Sequence, residues 1–308
     1  MQTIQQLTFN SGDDRDPSVL GDVLVFSRLE PARQDEDRCI AFMPVAGGTL
    51  TRQVCAGGGG PDNVRDAWLR PVVSPDGERI AYVAEESNAA FVPNVPSTRS
   101  LVVASLTDFQ SLKTLAPFSV RTADGVINDF RDIEWSDANT IRFIGGTGGF
   151  NSSIQDTVFS GLGVFEWNVD AGSTIKIAGI ENPIAYTSAD DDGIWFLSDA
   201  APTKVFHLPA RETTAVELPF DWSQISLIPG VMWDIDNFDG KPAVIARIVQ
   251  EVGPEERVIV LEIGSGSGST VLRASRIRNF VKVPGQRAIV AEVVNVTGGA
   301  NLWLAELP

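Results

Sequence analysis

Apolar positions along this chain fall in short runs of strand length, and a 3.6-residue period is nearly absent, so the pattern predicts an all-β protein with almost no helix. The clearest unit is Pro71-Val72-Val73-Ser74-Pro75-Asp76-Gly77-Glu78-Arg79-Ile80-Ala81-Tyr82-Val83, read as strand, tight turn, strand. Pro75 presets its own φ, Asp76 can bond nearby backbone, and Gly77 takes the positive φ that closes the turn. Ile80 to Val83 then supplies β-branched and aromatic side chains suited to a pleated, buried surface. Weaker copies of the hairpin run from Ile133 to Ile144 and from Phe280 to Val290.

Second strands of such hairpins begin at Val23, Ile80, Ile141, Ile194, Ala243 and Ala288, at intervals of roughly 45–60 residues, which is the length of one four-stranded unit. Third strands are expected at Cys39–Val45, Leu101–Leu106, Gly163–Val169, Lys204–Leu208, Arg257–Ile263 and Asn301–Leu307. Fourth strands are expected at Thr49–Cys55, Ser111–Ala116, Thr174–Ala178, Thr214–Leu218 and Thr270–Ala274. The last unit lacks a fourth strand, and Thr3–Phe9 can supply it, removing an open sheet edge. The expectation is one domain over residues 1–308: an all-β, six-bladed β-propeller with four-stranded blades, the last blade closed by the N-terminal strand. Pro71 to Val83 also resembles the repeat of TolB-like, WD40-like propellers, whose blades carry P-x-(W/V)-S-P-D-G-(x)2-I-A-(F/Y). That resemblance implies a periplasmic or secreted protein with partners held against one face or the channel mouth.

Turns between first and second and between third and fourth strands are short. The second-to-third connections read long at Leu29–Arg38, Glu85–Arg99, Gly145–Leu162 and Val249–Glu256, and all would emerge on one face. Long insertions gathered on one face suggest a binding surface, although length alone costs little and they are also tolerated without function. The run Gly145-Gly146-Thr147-Gly148-Gly149-Phe150-Asn151-Ser152-Ser153 reads as a mobile loop. Phe91, Phe150 and Phe159 stand in these stretches among polar residues, where an exposed ring wants a partner; tucking onto the blades is the alternative. Candidate binding residues are therefore Phe91, Asn94, Arg99, Arg131, Asp132, Phe150, Asn151 and Phe159.

Charge and cysteine content narrow the class. A net charge of −16 argues against nucleic acid and against anionic lipid, and no apolar run approaches the length of a membrane helix. The chain is expected to be a monomer without cofactor. Cys39 and Cys55 flank the loop Ala46-Gly47-Gly48, a register that puts them opposite one another, where Cβ atoms lie about 4.5–5.5 Å apart. A disulfide and an oxidising compartment are expected, with a leader removed ahead of Met1; the alternative is two buried thiols.

His207 is the single histidine and sits on an outer strand near no serine motif, which excludes histidine-rich zinc sites and leaves no triad. Asp234-Ile235-Asp236-Asn237-Phe238-Asp239-Gly240 loosely resembles a calcium loop but lacks the downstream glutamate. Asp190-Asp191-Asp192-Gly193 comes close to the Asp box of sialidase-like propellers, with the glycine one residue late. Both acidic stretches sit where turns need Asp and Gly for backbone reasons. Two functions remain. The first is a non-catalytic ligand- or protein-binding propeller of the cell envelope or exterior. The second is an extracellular glycan-binding or glycan-cleaving propeller that uses carboxylates near the central channel.

Overall fold

Alternation of buried residues along every second and third strand builds the core. On the strand Arg79–Ser87, Ile80 and Tyr82 face one neighbouring group of strands, while Ala81 and Val83 face the other. Both faces are apolar, so the strand buries both sides. The computed structural model describes residues 3–29, 38–55, 65–87, 98–151, 156–190, 193–199, 203–224, 230–250, 253–261, 267–295 and 299–306.

The chain opens with β1 (Thr3–Gln6) and continues into β2 (Asp13–Leu20), β3 (Val23–Leu29), β4 (Arg38–Pro44) and β5 (Arg52–Cys55). A second group holds β6 (Arg65–Val73), β7 (Arg79–Ser87), β8 (Thr98–Ser105) and β9 (Ser111–Leu115). The third holds β10 (Asp129–Trp135), β11 (Thr140–Asn151), β12 (Asp156–Asn168) and β13 (Ser173–Lys176). Then come β14 (Pro183–Ser188), β15 (Ile194–Ser198), β16 (Lys204–Leu208) and β17 (Val216–Leu218), followed by β18 (Met232–Asn237), β19 (Pro242–Gln250), β20 (Gly253–Leu261) and β21 (Gly268–Ala274). The last group is β22 (Ile277–Lys282), β23 (Ala288–Val294) and β24 (Ala300–Glu306). The only helix among the described residues is a short 3-10 turn at Trp222–Gln224, and no helix is long and apolar enough to cross a membrane.

β1 pairs antiparallel with β24, from Thr3↔Glu306 to Gln6↔Trp303, so the N-terminal segment completes the last group as expected. The expected count of six blades is corrected as far as separate sheets go. Among the described residues four sheets of four strands stand alone, and β2–β9 share one eight-stranded sheet, because a single parallel pairing, Arg38↔Ala67, ties β4 to β6. Buried clusters join each strand group to the next. One packs Phe26 and Met43 against Val290 and Leu304, and another packs Phe143 and Phe165 against Val83 and Leu101. Tryptophans reinforce these seams, with Trp135 Nε1 donating to the Val72 carbonyl at 3.1 Å and Trp233 Nε1 to the Ile277 carbonyl at 3.2 Å. Cys39 faces Cys55 across β4 and β5, and the two form a disulfide.

Two of the predicted long loops prove to be strand. β11 and β12 stay paired out to Asn151↔Asp156, so residues 145–151 and 156–162 form a two-stranded ribbon. Its glycines answer to space: a Cβ on Gly146 would come within 2.3 Å of the Phe159 ring, and one on Gly148 within 2.9 Å of the Asp129 carboxylate. β19 and β20 likewise remain paired to Gln250↔Gly253, which removes the loop expected at Val249–Glu256. The ends of the other two connections pair as Leu29↔Arg38 and Glu86↔Thr98, and their middles lie outside the described residues.

Every first strand of a group carries a bulge, within the strand in the first three groups and at its start in the last three. Register shifts fall between Arg15 and Ser18, Leu69 and Val72, Arg131 and Glu134, Pro183 and Ala185, Met232 and Asp234, and Ile277 and Asn279. At three of them a non-glycine residue takes a left-handed conformation: Asp16 at φ 51°, Arg70 at 54° and Asp132 at 46°. A bulge re-aims side chains, and these three turn toward the space the first strands enclose.

Candidate functional site

That space is a channel of two adjoining chambers. The upper one, about 310 Å³, lies where the first strands begin, on the side of the second-to-third connections. The lower one, about 320 Å³, lies where they end. Asp132, Asp234 and Asn279 border both chambers.

Arg15, Arg70, Arg99, Arg131 and Arg278 line the upper chamber. Two buried aspartates at the heads of first strands anchor them. Asp129 accepts from Arg99 Nη1 at 2.9 Å and from Arg131 Nε at 3.2 Å. Asp13 contacts Arg15, pairs with Arg38 Nη2 at 2.6 Å and Arg278 Nη1 at 3.6 Å, and accepts from the Ala300 amide at 2.8 Å. Arg99 is clamped a second time by Glu85 at 2.8 Å, and Arg70 reaches Asp132 at 3.4 Å. The Arg131 guanidinium lies 3.8 Å from the Phe159 ring centroid, a cation–π contact that fixes the plane of its fork.

Charges in the chamber are out of balance. Burial would raise the Asp129 carboxyl, but Arg99 and Arg131 outweigh burial and hold it below the usual carboxylate range. Arg131 is pushed down by burial first and then by repulsion from Arg70 and Arg99. Arg15 is pushed down by burial, then by Arg38 and Arg278. Burial drives Glu292 up to about 7 and raises Asp132 and Asp234, the latter helped by the charge of Asp132 across the channel. Guanidiniums keep their charge throughout the physiological range, whereas these carboxylates lean toward neutrality. The lining, five guanidiniums against the carboxyls of Asp16, Asp132, Asp234 and Glu292, therefore leans positive, although the whole chain is strongly acidic.

The lower chamber is the reverse. Asp132, Glu134, Asp234 and Asp236 line it together with Tyr186 and Trp135. Burial pushes Glu134 up to about 7 and raises Asp236. The unfolded chain gives up the Glu134 proton near 4.5 and the folded chain near 7, so this group's stabilising contribution is complete below about 4.5, falls as pH rises to about 7, and stays lost above. Glu134→Gln, which keeps an acceptor for Ser188, is expected to gain about 1–2 kcal/mol at pH 8 relative to pH 4, less than the full 1.36 kcal/mol per unit because channel water reaches the group. Urea denaturation at the two pH values checks this; an equal gain at both would contradict it.

Of the residues singled out in the sequence, Arg99, Arg131, Asp132 and Phe159 come together at the upper chamber. Phe159 belongs to strand β12 rather than to a loop, and Phe150 and Asn151 pair through their backbones with Thr157 and Asp156. Phe91 and Asn94 lie outside the described residues. Arg15, Arg70 and Arg278 were not foreseen. A signal for two of the clusters exists, since Asp13-Asp14-Arg15-Asp16 and Asp129-Phe130-Arg131-Asp132 share the pattern D-x-R-D at equivalent places. The carboxylates of the calcium-like stretch serve backbone instead, with Phe280 N–H donating to Asp234 at 3.0 Å and Lys282 N–H to Asp236 at 2.6 Å. Among the described residues no three acidic, histidine or cysteine groups lie close enough to share a metal ion.

No family model and no curated protein sequence matches the chain. Solved structures do. The WD40 repeats of RRP9 align over 99% of this chain and 97% of theirs, with TM-score 0.58 at 10% identity. The β-propeller domain of the Trilobed protease from Pyrococcus furiosus aligns over 95% of each chain, with TM-score 0.53 at 12% identity. This chain is a β-propeller. The PQQ-bound aldose sugar dehydrogenase of Streptomyces coelicolor is also similar, at TM-score 0.55 and 11% identity over 99% of this chain and 98% of that one. WD40 repeats, a protease domain and a sugar dehydrogenase are different kinds of protein, so these likenesses carry the fold and no activity. The Pyrococcus domain is described as having an open velcro topology; in the propeller here β1 pairs with β24.

Proposed function

We propose that the chain is a non-catalytic, TolB-like binding propeller of the cell envelope or exterior, a single domain of six blades in which the eight-stranded sheet counts as two. Its site is the mouth of the central channel on the side of the second-to-third connections, and the group it takes is an anion, a carboxylate or a phosphate. The observation that carries this reading is the set of five arginines facing one chamber, three of which repel one another around Asp129. A bound anion relieves that repulsion and matches the fork of a guanidinium. The Cys39–Cys55 disulfide supports an oxidising compartment. A glycan-cleaving alternative needs carboxyl groups free to act on a sugar, whereas Glu134 is held by Ser188 at 2.7 Å and Asp236 by Thr187 at 3.3 Å as well as by backbone.

Titration calorimetry in low-salt buffer with acetate, succinate and phosphate tests the reading against Arg70→Gln and Arg131→Gln. Each substitution is expected to weaken binding by about 10-fold, the loss of one charge-assisted hydrogen bond worth ~1.5 kcal/mol. Unchanged binding in both variants would remove the channel as the site.

A further inference from the structure

In the lower chamber only Asp132 has a cationic partner, Arg70 at 3.4 Å; the other carboxylates there form no ion pair among the described residues. Neutral donors satisfy three of its four carboxylates: the Ser188 hydroxyl for Glu134, the Phe280 amide for Asp234, and the Lys282 amide with Thr187 for Asp236. The cations nearest those three are directed elsewhere. Arg142 donates to Glu166 at 2.8 Å and to Ser188 at 3.0 Å, and Lys282 Nζ pairs with Asp239 at 2.7 Å. A second, independent feature points to an occupant. Tyr186 is only 5% exposed, its hydroxyl stands beside Glu134 and Asp132 on the chamber wall, and it has no hydrogen-bond partner among the described residues. One oxygen of Asp132, Oδ2, is buried and unpartnered in the same way. A buried polar atom without a partner costs about 1–3 kcal/mol, so an occupant that pairs it has something to gain.

We propose that the channel holds an extended zwitterion of the ω-amino-acid or short-peptide type, its carboxylate among the arginines of the upper chamber and its primary ammonium beside Asp132, Glu134 and Tyr186 in the lower one. The inference rests on the anion reading of the upper chamber and adds the opposite pole. Asp132, Asp234 and Asn279 border both chambers, so the two poles of the ligand would lie on either side of these residues. A metal ion fits poorly, because among the described residues no three acidic, histidine or cysteine groups converge. A neutral sugar could bond the carboxylates but would leave the charge of Glu134, once ionised, without a partner, whereas an ammonium brings three donors and one positive charge to Glu134 and to the two polar atoms that lack a partner. Trp135 and Tyr186 supply rings beside which an ammonium and its methylene stem are favourably placed.

Titration calorimetry of the whole chain with ligands that differ in one pole decides the matter. Hexanoate carries only the anion, hexylamine only the cation, 6-aminohexanoate and triglycine both, and glucose neither. The zwitterions are expected to bind at least about 10-fold more tightly than hexanoate, which is the scale of one added charge-assisted contact. Glu134→Gln should narrow that gap to under about threefold. Hexanoate binding as tightly as 6-aminohexanoate would overturn the second pole while leaving the anion site standing. Failure of every carboxylate, hexanoate and zwitterions alike, would overturn both. Glucose matching the zwitterions would replace the ammonium by a polyol and overturn the inference.

Discussion

Asp129→Ala is expected to lower folding stability by about 3–5 kcal/mol, the scale of removing one partner from a buried ion pair. The side chain is 3% exposed and accepts from two guanidiniums, Arg99 on the preceding blade and Arg131 on its own strand. Truncation strips both of a counter-charge in a place water reaches poorly. Glu85 still holds Arg99 at 2.8 Å, but Arg131 then faces Arg70 and Arg99 with its nearest carboxylate gone. Asp129→Asn should recover part of the loss, because its one carbonyl oxygen can accept from one guanidinium. Urea denaturation checks the prediction, and a loss below about 1 kcal/mol in the alanine variant would show that the arginines are not held through Asp129.

Removing residues 1–9 is expected to cost at least about 4 kcal/mol. Leu7 is 4% exposed and belongs to the cluster that joins the first and last strand groups, and deleting a buried leucine side chain alone costs about 2–5 kcal/mol. The truncation also removes four paired residues of β1 and the bonds of Leu7 and Thr8 to Leu302, at 2.8 and 3.0 Å. It leaves β24 as a bare edge, a template for pairing between molecules. A truncated chain within about 1 kcal/mol of the full one, and no more prone to associate in light scattering, would mean that the closing strand does little.

Strand positions were legible in the sequence because a period of two with β-branched residues leaves few alternatives. Val23, Ile194 and Ala288 each begin a strand where the pattern places one. The ribbon over β11 and β12 was not legible, since Gly145 to Gly149 has the composition of a flexible linker. Its glycines are there to let a strand pass over Phe159 and Asp129, and that demand arises only once the neighbouring strands are in place. Arg131 and Asp132 could be picked out as charged residues on an inner strand. Arg99 meets Asp129 only because the third strand of one blade abuts the first strand of the next. The bulges were not legible either, because their left-handed residues, Asp16, Arg70 and Asp132, are not glycine and carry no local mark. The eight-stranded sheet hung on one parallel pairing, which no pattern of apolar residues announces.

The channel as an anion site is tested most directly by diffraction at the bromine absorption edge from crystals soaked in sodium bromide and free of other small anions. The account predicts an anomalous peak in the upper chamber among Arg15, Arg70, Arg131 and Arg278. Peaks confined to the outer surface, with none in hydrogen-bond reach of those guanidiniums, would contradict it.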